Sequence, residues 1–274
     1  MRRLKLILEY DGTHFAGFQK QSGKVRTVQG VLEEALFQLT GEKINVVGAG
    51  RTDSGVHALG QVVHFETSST IPEDRFPAAL NGHLPSDMAV LEAAAVNASF
   101  HARYDALKKK YCYLVFNSRK PVAIWRRHCY HFPVPLDLSA MKECAQVFVG
   151  EHDFTAFSAV GSSVKSTVRH VFSMNIEKKG EWIRFISIAN GFLYKMVRLM
   201  VGTLLEVGRG KLSPAQVKHI LEEGKRGHGG PTVPPQGLYL VKVYYQADEE
   251  VNKGSVLTAV CQSPRINLLN NKRF

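Results

Sequence analysis

Asp53 is displayed in the run Gly48-Ala49-Gly50-Arg51-Thr52-Asp53-Ser54-Gly55-Val56-His57-Ala58, among three glycines and two small hydroxyl residues. Runs rich in β-branched residues flank it, Ile44–Val47 before and Gln61–Thr67 after, so the carboxylate sits on a loop between two strands. Glycines let such a loop turn tightly and let a ligand approach the backbone. Arg51 and Thr52 can hydrogen-bond the carboxylate, and a nearby cation favours its charged form. An ionised, positioned carboxylate serves as nucleophile or general base. An Asp in a Gly/Ser/Thr loop can equally cap its own turn, and the residues alone leave both roles open.

Other candidates stand further along the chain. Tyr111 follows Lys108-Lys109-Lys110 and offers a flat ring on which a base can stack, with Lys110 reaching toward phosphates; packing in the core is the alternative. Arg198 lies on a helix, displaced from its apolar stripe, where it could reach across to a carboxylate and fix its orientation. His57 is the histidine nearest Asp53. Phe15, Phe18 and Gln19 form a candidate aromatic edge beside a pocket. A dinucleotide site is excluded at the glycines: the third glycine of that fingerprint would stand at position 53, which is Asp, and a strand rather than a helix follows. No phosphate-cradling lysine loop or His-Glu-x-x-His metal motif occurs.

These residues must be held by ordinary elements. Leu4, Leu6, Leu8 and Tyr10 alternate as a strand with one buried face. Val28, Val31, Leu32, Ala35, Leu36 and Leu39 share one face of a helix that Thr27 caps and Gly41 ends. The strands around Asp53 follow, then a short helix from Phe76 to His83 and a strand from Met88 to Val96. That order of strand, helix, strand, strand, helix, strand matches the ferredoxin-like split βαβ layer. In the second half, strands are predicted at 110–116, 168–177, 182–188 and 238–245. Helices are predicted at 137–149, at 194–208 and from Pro214, which Ser213 caps. The fold class is therefore α+β. The expected division is residues 1–106, residues 107–247 and a peripheral tail, 248–274. His14-Phe15-Ala16-Gly17-Phe18 faintly echoes Phe154-Thr155-Ala156-Phe157-Ser158.

Composition narrows the partners. The 274 residues suit two domains of ordinary size, and 45% hydrophobic content is that of a globular chain. A formal charge of +11 favours polyanions, nucleic acid above all. Cys112, Cys129, Cys144 and Cys261 form no C-x-x-C pair and read as free, buried thiols of a reducing compartment. No apolar run reaches membrane-spanning length, and the N-terminal apolar stretch is too short for a signal peptide. A cytoplasmic protein is expected.

Several motifs, in order over roughly residues 4–245, resemble the tRNA pseudouridine synthase A family. They are Glu9-Tyr10-Asp11-Gly12 with Phe15-Ala16-Gly17-Phe18-Gln19, Val28-Gln29-Gly30-Val31-Leu32-Glu33, and Gly50-Arg51-Thr52-Asp53-Ser54-Gly55-Val56-His57-Ala58 with Gln61-Val62. Leu80-Asn81, Phe100-His101-Ala102-Arg103, Lys110-Tyr111-Cys112-Tyr113 and Phe192-Leu193-Tyr194-Lys195-Met196-Val197-Arg198 complete them. The resemblance implies two ferredoxin-like α/β domains with antiparallel sheets flanking a central cleft. It implies a homodimer that binds tRNA and isomerises uridine to pseudouridine in the anticodon stem-loop. Asp53 would be the catalytic aspartate, Tyr111 the ring packed on the uracil, Arg198 the partner of Asp53, and Arg51 a contact to the flipped nucleotide. No metal or organic cofactor is implied. A non-catalytic RNA-binding protein on the same scaffold is the second reading, and a nucleotide-dependent oxidoreductase a distant third.

Overall fold

The computed structural model describes residues 1–23, 25–161 and 164–246. The predicted tail and Cys261 lie outside them. Along the chain run β1 (Arg2–Tyr10), α1 (Val28–Thr40), β2 (Val47–Gly48), β3 (His57–Thr67), α2 (Phe76–Asn81), β4 (Met88–Val96), β5 (Lys108–Phe116), β6 (Tyr130–His131), α3 (Leu138–Ala145), β7 (Gly150–Asp153), β8 (Val168–Lys179), β9 (Trp182–Ala189), α4 (Met196–Gly208), α5 (Pro214–Glu223) and β10 (Leu238–Tyr244). This is an α+β chain.

The first half has the expected order. β4, β1 and β3 lie side by side, all antiparallel, and β2 pairs with the outer edge of β3. In the second half β10, β5, β9, β8 and β7 are neighbours, again antiparallel. The two sheets are not separate. β10 pairs in parallel with the start of β3, Tyr239 opposite His57 and Leu240 opposite Ala58, and so fuses them into one mixed sheet, of ten strands among the described residues. The boundary expected near residue 106 falls between β4 and β5, and the sheet runs across it. One continuous core, from Leu4, Leu6 and Leu8 through Tyr113 and Phe185 to Met200 and Leu204, fills one face. A smaller cluster of Cys112, Leu114, Cys129, Ile186, Tyr239 and Val241 fills the other, under Trp125 and Trp182. Cys112, Cys129 and Cys144 are buried and form no disulfide among the described residues.

Local chemistry explains most boundaries. Thr27 accepts the Gly30 N–H, and Gly41 closes α1 in the left-handed conformation. Ser213 and Gln216 form a capping box around Pro214. The strand expected at 44–47 shrinks to β2 because α1 claims its backbone. Glu33 accepts the Val46 N–H, and Gln29 donates to the Val46 carbonyl. The helix expected to end at Val149 stops at Ala145, tightens into a 3-10 turn at Gln146–Phe148 and gives way to β7, which the apolar pattern did not reveal. Two turns in the two halves share one local device, in a register two residues off the echo: Asp11 accepts both the N–H and the hydroxyl of Thr13, and Asp153 does the same for Thr155.

One close approach fixes where α4 sits. A Cβ on Gly202 would fall 1.8 Å from the Pro231 carbonyl oxygen, so only a glycine lets residues 230–233 lie along the helix. Thr203 fastens the same contact, donating to the Leu199 carbonyl and accepting the Gly230 N–H. Gly202→Ala should therefore lower unfolding free energy by about 2 kcal/mol or more, the scale of overpacking at a rigid contact, read by denaturant titration.

Candidate active site

Asp53 and Arg198, 145 residues apart in sequence, meet in an ion pair: Arg198 Nη1 lies 2.9 Å from Asp53 Oδ2. The Asp53 side chain is 22% exposed and that of Arg198 11%, so the pair is partly withdrawn from water yet still reachable. Arg198 is held from its other side, where Nε donates to the Val233 carbonyl at 2.8 Å. The bracing segment, residues 230–233, is the one Gly202 admits. The guanidinium thus divides its donors between a backbone carbonyl and Asp53 rather than spending both on the carboxylate. Asp53 Oδ1 has no hydrogen bond among the described residues.

The loop carrying Asp53 is pinned along its length. The Thr52 hydroxyl and the buried Tyr10 hydroxyl share a 2.8 Å hydrogen bond, and the Thr52 carbonyl accepts from Phe18. Gln61 donates to the Gly50 carbonyl at 2.8 Å. Gly55, at φ +77°, turns the chain back and lets Val56 N–H bond the Asp53 carbonyl; a Cβ there would meet Pro235 at 2.9 Å. Lys109 Nζ reaches from β5 to the Ala49 carbonyl at 2.7 Å. So strands from both halves clamp one loop.

Tyr111 sits beside this pair on β5. It is buried, and the edge of Phe192 packs against its ring, centroids 5.0 Å apart at 80°. Burial raises its phenol far above the ordinary tyrosine range, with Tyr10 and the Asp53 charge pushing the same way. Tyr111 is a neutral ring next to a carboxylate. Burial also moves Tyr10 up to about 12.

The remaining sequence candidates fall differently. Arg51 is exposed at the rim, its Nε donating to Gln19 at 3.2 Å, so Gln19 orients a cation rather than forming an edge. Phe15 is buried beneath the loop, edge-on to Tyr10 at 6.1 Å with the Arg26 guanidinium over its ring. It lines no open face; its carbonyl accepts from Gly55 and Ser54. Phe18 is likewise buried, against Gly48. His57 is buried and turned away from the carboxylate. Its Nδ1 lies 3.0 Å from the Gly12 nitrogen and 3.1 Å from Asp11 Oδ1, and its Nε2 faces the carbonyls of Arg127 and Gln236. Asp11, His57 and His128 bring their ligating atoms within 4.8 Å of one another, on the side of His57 away from Asp53. Lys110 points to the face opposite Tyr111, because residues alternate along a strand. The lysine on the ring's side is Lys109, which the same parity rule identifies.

Lys109 is half-buried. Burial, then the Arg103 and Arg169 charges, lowers its ammonium to about 8. In the unfolded chain it titrates near the ordinary 10.5, so between these values the unfolded state binds more protons and folding is favoured as pH rises. In buffer free of oxyanions, wild-type stability relative to Lys109→Met should climb from pH 7.5 to 9.5, measured by denaturant unfolding; equal slopes for both proteins would contradict the assignment.

Comparison with known proteins finds relatives over most of the chain. A family model described as tRNA pseudouridine synthase matches residues 6–105 and 144–246. Curated relatives named tRNA pseudouridine synthase A are similar over most of the chain. One from Acetivibrio thermocellus is 49% identical over 245 residues, and one from Thermoanaerobacter sp. is 47% identical; each alignment spans 89% of this chain and all of the relative. One from Syntrophomonas wolfei is 46% identical over 91% of this chain and its own full length. A chain of a crystallised Cbf5-Nop10-Gar1 complex overlays only loosely, with a TM-score of 0.35 at 13% identity over 88% of this chain and 59% of that one.

Proposed function

The chain belongs to the tRNA pseudouridine synthase family, and from that membership we propose that its site isomerises uridine to pseudouridine in the anticodon stem-loop of tRNA, with Asp53, Arg198 and Tyr111 acting on one nucleotide. The observation that carries the reading is the Asp53–Arg198 pair at 2.9 Å with the Tyr111 ring beside it. In the reaction the bond from C1′ to N1 breaks, the base turns, and C1′ joins C5, which gives up its proton. The product has the atoms of the substrate and no electrons are gained or lost, so the chemistry calls on no redox cofactor.

Each side chain has a task that its surroundings suit. The target base must leave its stack, because C1′ and C5 are covered within a helix. Stacking a freed base on an aromatic ring contributes roughly 1–3 kcal/mol, and Tyr111 supplies a ring held by Phe192. Asp53 supplies a carboxylate with one oxygen anchored and one open, fit for attack on the sugar, attack on the base or removal of a sugar proton. Arg198, bonded to Oδ2, keeps it aimed. Arg51 and the net charge of +11 support binding of the RNA backbone. As part of the same proposal, the working form is a cytoplasmic homodimer holding tRNA across both subunits.

Asp53→Asn keeps the shape and removes the charge. Pseudouridine formation in a tRNA transcript should fall by at least 10³-fold, while tRNA binding stays within a few-fold of wild type; residual turnover near wild type would remove Asp53 from the chemistry. Tyr111→Phe keeps the ring, so tRNA affinity should persist in a filter-binding or fluorescence assay, whereas Tyr111→Ala should weaken it by about tenfold or more.

A further inference from the structure

Three cations converge beside the Asp53 loop without a counter-ion. Lys109 stands opposite Ala189, and Ala189 opposite Val171, across β5, β9 and β8. Arg169, two residues before Val171, therefore shares the face of Lys109 and Tyr111. Its guanidinium lies against Gly191, where a Cβ would fall 3.5 Å from Nε, one residue before the Phe192 that supports Tyr111. Arg169 Nη1 is aimed by the carbonyls of Ser166 and Val168. Lys109 Nζ lies so close to the catalytic loop that a Cβ on Gly50 would meet it at 3.3 Å. Arg103 adds a third charge at the exposed rim, on a turn that the His101 ring fixes by accepting the N–H groups of Arg103 and Tyr104.

Among the described residues, no carboxylate comes within ion-pairing distance of any of the three. That is costly for half-buried groups: a desolvated ammonium needs partners for three donors, and the Ala49 carbonyl satisfies one. Resting as a like-charged cluster, they also repel one another, which adds to the burial that lowers the Lys109 ammonium. An anion bound among them would relieve both costs.

We propose that Lys109 and Arg169, with Arg103 at the rim, form a phosphodiester-binding subsite that grips the RNA backbone next to the target uridine. The inference rests on the synthase reading for its ligand and goes beyond it in naming the grip. With a base on Tyr111 and its sugar at Asp53, the strand leaves the site past Gly50 and Gly191. The glycines keep that exit free of side chains, and Lys109 and Arg169 stand beside them. A backbone contact here reads no sequence; it sets where C1′ comes to rest over the carboxylate. Lys109 is thus both a staple on the Ala49 carbonyl and a phosphate ligand, while Arg169, which donates to the Ser166 and Val168 carbonyls, makes no hydrogen bond to the Asp53 loop.

The test is salt-dependent binding of an anticodon stem-loop RNA by wild type, Lys109→Gln, Lys109→Arg and Arg169→Gln. Arg169→Gln should bind roughly tenfold more weakly near 0.1 M salt, and the slope of log affinity against log salt should lose about 0.7–0.9. Lys109→Arg should restore most of what Lys109→Gln loses. Replacing the phosphates flanking the target uridine one at a time with neutral methylphosphonate should reveal one position whose neutralisation weakens wild type but leaves Arg169→Gln unchanged. Salt slopes equal to wild type in both glutamine variants, or methylphosphonate penalties that are the same in wild type and Arg169→Gln at every position, would overturn the subsite and leave Lys109 a staple only. Wild-type protein that binds this RNA without forming pseudouridine would strike at the synthase reading, and the binding comparison would still decide the subsite.

Discussion

A single ion pair ties this protein's chemistry to its architecture. Asp53 comes from a loop of the first half and Arg198 from a helix of the second, and neither is positioned until both halves are packed. A carboxylate and a guanidinium at hydrogen-bonding distance, partly withdrawn from water, attract each other more strongly than surface ions do, but each has also lost solvation. The arrangement holds because the arginine is satisfied twice, by Asp53 and by the Val233 carbonyl. The carbonyl is there because Gly202 has no side chain to keep residues 230–233 off the helix. A backbone contact at the second turn of α4 thus reaches the reactive carboxylate through one side chain.

The sheet supplies the complementary constraint. Because β10 bridges β3 and β5, the loop before β3 and the face of β5 are parts of one hydrogen-bonded surface. Tyr111 and Lys109 are carried by that surface, two residues apart and on one side of it. The ring lies near the carboxylate and the ammonium bonds the loop backbone, so one strand presents an aromatic ring beside Asp53 and steadies the loop that carries it. Rigid elements hold reacting groups more closely than loops can, and here the one loop involved is fastened at Ala49, Gly50, Thr52 and Gly55.

The elements were legible in the sequence wherever one physical signal dominated. Apolar residues at helical spacing gave α1 and α4, capping chemistry gave the starts of α1 and α5, and alternation gave β1 and β5. Asp53 stood out because small residues crowd around it. The fusion of the sheets was not legible: β3 and β10 meet at only two residue pairs, some 180 positions apart in sequence, and nothing local records it. His57 looked chemical from its nearness to Asp53, but the Gly12 N–H and the carbonyls of Arg127 and Gln236 claim it from three distant segments. Lys110 was the reverse case. The period of two along a strand already assigns Lys109, not Lys110, to the side of Tyr111, and a run of three lysines hid the distinction.

The central place of β10 bears on how the molecule is made. Every other strand of the sheet precedes it in the chain, yet it lies between β3 and β5 rather than at an edge. While the polypeptide is being synthesised, both halves can form their local pairings, but each keeps an open flank where Leu238–Tyr244 will later insert. Until that segment emerges, the two nascent sheets are unjoined and the ring and the carboxylate belong to separate bodies. The last strand added is the one that makes a single enzyme out of two half-built layers.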